Sequence, residues 1–159
     1  MIQILKDSDT RPWFFLQTAH TTYGMWVMET GHLEHLYYGE RITVDSQDPS
    51  SCAPLVIQRA FAPGNTCTYD REHPQISMED VCLEVGTLGK GDIREPFLEV
   101  RFADGSVTSD FTFDSYEIIT LKEREQCLQD SGLPHSYSEV GTDSAECLQI
   151  VLQDVTNHL

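Results

Sequence analysis

The stretch Gly89 to Phe113, GKGDIREPFLEVRFADGSVTSDFTF, sets how the rest of the chain is read. Residues 97–102 and 107–113 alternate apolar with polar side chains, the period of a half-buried strand. Ala103-Asp104-Gly105-Ser106 separates them, and Asp-Gly in a two-residue loop is a strong hairpin signal. The expected turn is type I′, since Gly105 takes positive φ without steric cost and Asp104 tolerates it. In that register Phe102 faces Val107, Val100 faces Ser109 and Leu98 faces Phe111, so the apolar set shares one face. Glu99 then lies opposite Asp110, a like-charge pair that Arg101, diagonal to it, offsets. A lone hairpin is marginal in water, so this one requires further strands to pack on.

The flanking sequence supplies candidates. Upstream, residues 13–18 read as a first strand, and residues 22–28 with 33–38 as a second hairpin around Thr30-Gly31. That register pairs Met28 with Leu33, Trp26 with His35 and Tyr23 with Tyr38. Ile42-Thr43-Val44 is a short extension, residues 45–51 a polar loop, and Leu55-Val56-Ile57 a short apolar run. Residues 76–85 have mixed periodicity and are assigned to a strand. Downstream, Glu117-Ile118-Ile119 is extended. Thr120 and Glu123 fit a capping box for one short helix near 121–130, stopped at Gly132-Leu133-Pro134. Residues 147–155 form a last alternating strand, with Leu148, Ile150 and Leu152 on one face. The fold class expected is all-β, a mostly antiparallel β-sandwich.

At 159 residues the chain is expected to be one domain, 1–159, long enough to bury a core without staples. Ten basic against 26 acidic residues leave a formal charge of −16, which repels nucleic acid and disfavours anionic membrane surfaces. The five cysteines contain no C-x-x-C pair, so a zinc ribbon or thioredoxin-like motif is excluded, and reduced thiols in a cytoplasm are expected. Residues 1–7 lack a signal-peptide apolar region, and no stretch reaches the length of a membrane span.

Few motifs point to chemistry. His32 and His35 are three apart on a strand and therefore point to opposite faces, so no metal site is expected there. His35 shares a face with Trp26 and Tyr37 in the expected register, as a packed histidine or as part of an aromatic sugar platform. No G-x-S-x-G occurs, and Gly-Lys-Gly at 89–91 lacks the spacing of a phosphate loop. Asp92, Arg94, Glu95 and Pro96 have two readings. Arg94 is either a bidentate clamp for a carboxylate or sugar hydroxyl, or the centre of internal ion pairs that lock a loop before the strand.

TTYGMWVMETGHLEHLYYGERI, FAPGNT, ISMEDVCLEV, GKGDIREPFLEVRFADGSVTSDF, GLPHSY and SAECLQIVLQD follow one another at spacings that resemble the N-terminal domain of bacterial α-galactosidases of glycoside hydrolase family 36. The resemblance implies a β-supersandwich ahead of a catalytic barrel, in a retaining enzyme that releases terminal α-galactose from oligosaccharides such as raffinose. Both catalytic aspartates belong to that barrel, so no catalytic residue is carried over, and neither a metal nor a cofactor is implied. It implies a homo-oligomer, tetrameric in the family, whose N-terminal loops reach a neighbouring sugar pocket. Gln58, Arg59, Asp70 and Arg71 are the matching substrate-proximal candidates, while Gly91, Asp92, Arg94, Glu95 and Pro96 form a mainly structural family motif. The chain is then expected to be an incomplete N-terminal domain without glycosidase activity of its own. A stand-alone carbohydrate-binding or assembly module, or a vestigial fragment, is the alternative.

Overall fold

The computed structural model describes residues 1–7, 9–45, 48–56, 68–92, 95–120 and 146–156. Within them a four-stranded antiparallel sheet runs in the order β1 (Ile2–Lys6), β2 (Pro12–Gln17), β3 (Thr21–Val27), β4 (Leu33–Glu40). β1 is absent from the sequence reading. Five residues are too few to establish a period, and its partner, β2, is an almost continuous apolar run. That run reflects burial on both faces. Trp13 and Phe15 join Leu5, Val44 and Cys52 on one side, packed by Trp26, Leu36, Leu55 and Val56. Phe14 joins Met25, Val27 and Leu33 on the other.

The first face is covered by a 3-10 helix, Pro49–Leu55, where a polar loop and a separate apolar run were expected. Asp48 starts it by accepting the Ser50 amide at 3.0 Å, one of the donors that a helix start leaves without a partner. The second face is covered by an antiparallel ribbon of β7 (Phe111–Thr120) and β8 (Glu146–Asp154). Phe113, Tyr116, Leu148 and Ile150 of that ribbon pack onto Phe14 and Met25, making an all-β sandwich. Between these, β5 (Thr87–Leu88) and β6 (Gly91–Asp92) form a two-residue parallel pair.

The expected hairpin of residues 97–113 is not what forms. Phe111 starts β7 and pairs with Asp154, and Leu98 makes a parallel bridge to Thr87. The local turn survives in another form. The Gly105 amide donates to Phe102 O at 3.0 Å and the Phe102 amide to Ser106 O at 2.9 Å. Gly105 has φ +88°, and the only non-glycine residue at positive φ among those described is Thr10. The loop therefore holds three residues, closing on Phe102–Ser106 rather than Phe102–Val107, with one left-handed glycine in place of a type I′ pair. The Asp104 carboxylate favours this geometry by accepting the Ser106 amide at 2.9 Å. Glu99 and Asp110 are not ladder partners, so Arg101 has no repulsion there to offset.

The β3–β4 loop repeats this bonding: Gly31 N–H to Met28 O at 2.9 Å, Met28 N–H to His32 O at 2.8 Å, and Gly31 at φ +83°. The two glycines differ in surroundings. A Cβ on Gly105 meets nothing within 4 Å, whereas one on Gly31 lies 3.2 Å from Thr112 Cβ. Gly105→Ala is expected to cost about 1–2 kcal/mol for backbone conformation alone. Gly31→Ala should cost more, and urea unfolding of the two variants measures the difference.

A bulge in β4 changes the predicted faces. Tyr23 pairs with Tyr38 as expected, and Gly24 with Tyr37, but Met25 pairs with His35 and Trp26 with Glu34. Leu36 is the extra residue, so Leu36 and Tyr37 both lie on the Trp26 side while His35 moves to the Tyr23 side. The expected Trp26–His35 and Met28–Leu33 pairings are corrected accordingly. Residues 76–85 are not a strand: isolated bridges Thr68↔Ser77 and Glu34↔Leu83 flank a 3-10 turn, Met78–Asp80. Ile76, Met78 and Val81 instead close over Met28 as a third apolar cluster. The helix expected near 121–130 lies outside the described residues.

Candidate functional site

Polar side chains gather at three places. The most deeply buried centres on Asp110, which is 4% exposed. His32 Nε2 lies 2.7 Å from its Oδ1, the Tyr69 hydroxyl donates to Oδ2 at 3.1 Å, and Lys90 Nζ lies 3.4 Å from Oδ2. Since an ionised carboxylate only accepts, the His32 ring carries a proton on Nε2, leaving Nδ1 to Thr30 Oγ1 at 2.9 Å. Lys90 also sits 4.8 Å from the centre of the Tyr69 ring, and that ring meets His32 edge-on at 4.9 Å. The Asp110 amide donates to Asp154 Oδ1 at 2.7 Å, and Asp110 O accepts from Val155 N at 2.9 Å. The carboxylate thus ties the β3–β4 loop, the segment at 69 and the turn at 90 together, and the Asp110 backbone joins them to the end of β8.

Lys90 reaches this position because residues 87–90 form a tight turn, closed by Thr87 and Lys90, with Gly89 at φ +80°. Gly89-Lys90-Gly91 is therefore a structural device. Gly91 and Asp92 follow as β6. Glu95 and Pro96 are within the described residues, whereas Arg94 lies outside them.

Burial pushes the Asp110 carboxyl up, but the His32 hydrogen bond and charge, the Lys90 charge and the Tyr69 hydroxyl outweigh it and hold its pKa below the ordinary value. Burial, with the charge and hydrogen bond of Asp110, pushes the Tyr69 hydroxyl up to about 12. A carboxyl whose folded pKa is depressed stabilises the fold above its unfolded pKa, about 3.9. That contribution is lost as pH falls through the lower, folded value. The urea midpoint should therefore drop below about pH 4 in the wild type and respond less over that window in Asp110→Asn.

The second place lies on the Tyr23 side of the four-stranded sheet. The Tyr23 hydroxyl donates to Glu84 Oε2, and His35 Nδ1 lies 3.0 Å from Oε1. Burial, followed by the hydrogen bond and charge of Glu84, raises the Tyr23 pKa. Tyr23 also sits between two rings, His35 with centroids 5.0 Å apart and Tyr38 at 5.9 Å. On the opposite side, Trp26 packs 4.9 Å from Trp13 and donates Nε1 to buried Glu34 at 2.8 Å, while the Tyr37 hydroxyl donates to Glu40 O. Trp26 and Tyr37 lie on the other face from His35, so of the two readings of these residues the shared aromatic platform does not form and the packed histidine does.

The third is the loop after Tyr69. Asp70 accepts the amides of Glu72 at 2.8 Å and His73 at 2.7 Å, and its Oδ1 lies 2.9 Å from His73 Nδ1. The His73 hydrogen bond holds the Asp70 pKa low. This loop therefore fixes its own acid and leaves Arg71 exposed. Of the four substrate-proximal candidates, Asp70 and Arg71 are neighbours here, while Gln58 and Arg59 lie outside the described residues. Sequence reading missed the Asp110 and Glu84 centres because their members are scattered from 23 to 110. Only the charge of Asp110 beside an apolar strand hinted at a buried partner. No group of three His, Cys, Asp or Glu suited to a metal occurs among the described residues. Nor is any helix there long and apolar enough to cross a membrane.

Residues 31–159 match the family model of the glycosyl hydrolase family 36 N-terminal domain. The chain is 38% identical over 143 residues to the bifunctional alpha-galactosidase/sucrose kinase AgaSK of Mediterraneibacter gnavus, covering 89% of this chain and 14% of that protein. The solved galactosidase domain of AgaSK superposes with a TM-score of 0.71 at 31% identity, over 96% of this chain and 19% of that one. A variant of alpha-galactosidase AgaA from Geobacillus stearothermophilus, solved in complex with stachyose, gives a TM-score of 0.70 at 25% identity, over 92% and 18%. The chain thus spans less than a quarter of the length of these relatives.

Proposed function

Because the chain belongs to the glycosyl hydrolase family 36 N-terminal domain family, we propose that it serves an α-galactosidase as a non-catalytic β-domain that supports subunit assembly and shapes the pocket for terminal α-galactosides. The observation that carries this is the family match over residues 31–159 on a sandwich that superposes on the relatives. The buried centre agrees with such a role, since Asp110 has both oxygens engaged by His32, Tyr69 and Lys90 and holds segments together. In this reading the protein is cytoplasmic and homo-oligomeric, and it meets raffinose-type oligosaccharides through the assembled enzyme. Arg71 is the residue of the Asp70 loop that reaches sugar hydroxyls, because the Asp70 carboxylate is already occupied by Glu72 and His73.

The test is a chimaera in which this chain replaces the matched segment of the Mediterraneibacter gnavus enzyme. It should hydrolyse stachyose as an oligomer. Arg71→Ala should then raise KM about tenfold, as loss of a charge-assisted hydrogen bond does, with kcat less affected and Tm unchanged. A folded chimaera without activity, or one indifferent to Arg71→Ala, overturns the respective part of the reading.

A further inference from the structure

The geometry points to a saccharide-binding surface on the sheet face that carries Tyr38, Tyr23 and His35, separate from the Asp70 loop and independent of the assembly role. Tyr38 is 70% exposed although it lies on the face that the β7–β8 ribbon covers, where its neighbour Tyr23 packs against the Phe14 cluster. Its neighbour Tyr23 continues the aromatic surface, and His35 extends it on the far side. Residues three apart on a regular strand face opposite ways, so Tyr38 and His35 share this face only because of the bulge at Leu36. Bulges of this kind re-aim side chains next to binding sites.

The polar groups of the row are oriented. Both Glu84 oxygens accept, one from Tyr23 and one from His35 Nδ1, which fixes the ring proton on Nδ1 and leaves Nε2 to accept from a ligand. The His35 and Glu84 side chains are 28% and 18% exposed, so the pair is held in place yet reachable. An exposed ring beside oriented acceptors suits the apolar C–H face and the hydroxyls of a neutral pyranoside. A chain of charge −16 disfavours phosphate or carboxylate ligands, and a neutral sugar is the occupant that matches the exposed ring and the acceptor beside it.

The experiment is calorimetric titration and saturation-transfer NMR of the full 159-residue chain with methyl α-D-galactopyranoside and with stachyose. Saturable binding on the order of millimolar is expected for so open a site, with transfer from tyrosine ring protons. Tyr38→Ala should weaken it about tenfold or more, with circular dichroism and Tm unchanged because the side chain is exposed, and Tyr38→Phe should retain it. Absence of saturation in the millimolar range, or binding that survives Tyr38→Ala, overturns the site. So does concentration-dependent dimerisation abolished by Tyr38→Ala, which assigns the face to a second copy. None of these outcomes bears on the chimaera, so the two readings fail separately.

Discussion

Asp110→Ala is expected to destabilise the fold by about 3–5 kcal/mol, the usual cost of removing one partner from a buried ion pair. The loss exceeds that of one hydrogen bond. His32, buried at 2% exposure, is left with Nε2 lacking a partner, and Lys90 and Tyr69 lose the same acceptor. The double variant His32→Ala with Asp110→Ala should cost clearly less than the sum of the singles, since the second substitution removes a group the first has stranded. Urea unfolding supplies all the values. A loss for Asp110→Ala under about 1 kcal/mol, typical of any surface substitution, would show that the segments it joins are held by packing alone.

Phe14→Ala should cost a similar amount, about 3–5 kcal/mol, through a different mechanism. Phe14 is 0% exposed and stands where the four-stranded sheet meets the β7–β8 ribbon, with its ring centre 5.2 Å from Tyr116 and 6.2 Å from Phe113. Truncation leaves a cavity between two layers that each have a rigid backbone ladder, so little collapse can refill it. A two-stranded ribbon is not stable by itself, so chymotryptic cleavage at its Phe113 and Tyr116 should accelerate in this variant. Phe14→Leu, which fills part of the volume, is the control and should recover more than half of the loss. Equal losses for both substitutions would contradict the cavity account.

The two substitutions probe different kinds of information. The alternation of Phe111-Thr112-Phe113 and of Leu148, Ile150 and Leu152 stated that these segments were strands with one greasy face, because side chains on a strand must alternate. Local chemistry also placed the turns at Thr30-Gly31 and Asp104-Gly105, since positive φ is cheap only for glycine. Which strand paired with which was not local. The adjacent segment 97–102 offered β7 an apolar face as good as that of β8. The choice fell to β8 where nine residues form a ladder and where Asp110 could leave the strand to meet His32 and Lys90.

The sites divide in the same way. A resemblance in motifs reached the family, because the residues of each motif are contiguous in the chain. The Asp110 centre and the Tyr38 face were legible only in three dimensions. One assembles residues 32, 69, 90 and 110. The other depends on a single extra residue at Leu36, which turns His35 over without leaving any mark in the hydrophobic pattern. Turn position, and strand identity where a long alternating run has a partner to pair with, follow from each residue's own backbone preferences and were carried by the amino-acid order itself. Partner choice, bulge position and buried charge pairing are set by competition between distant segments for the same space, and the tertiary structure alone decided them.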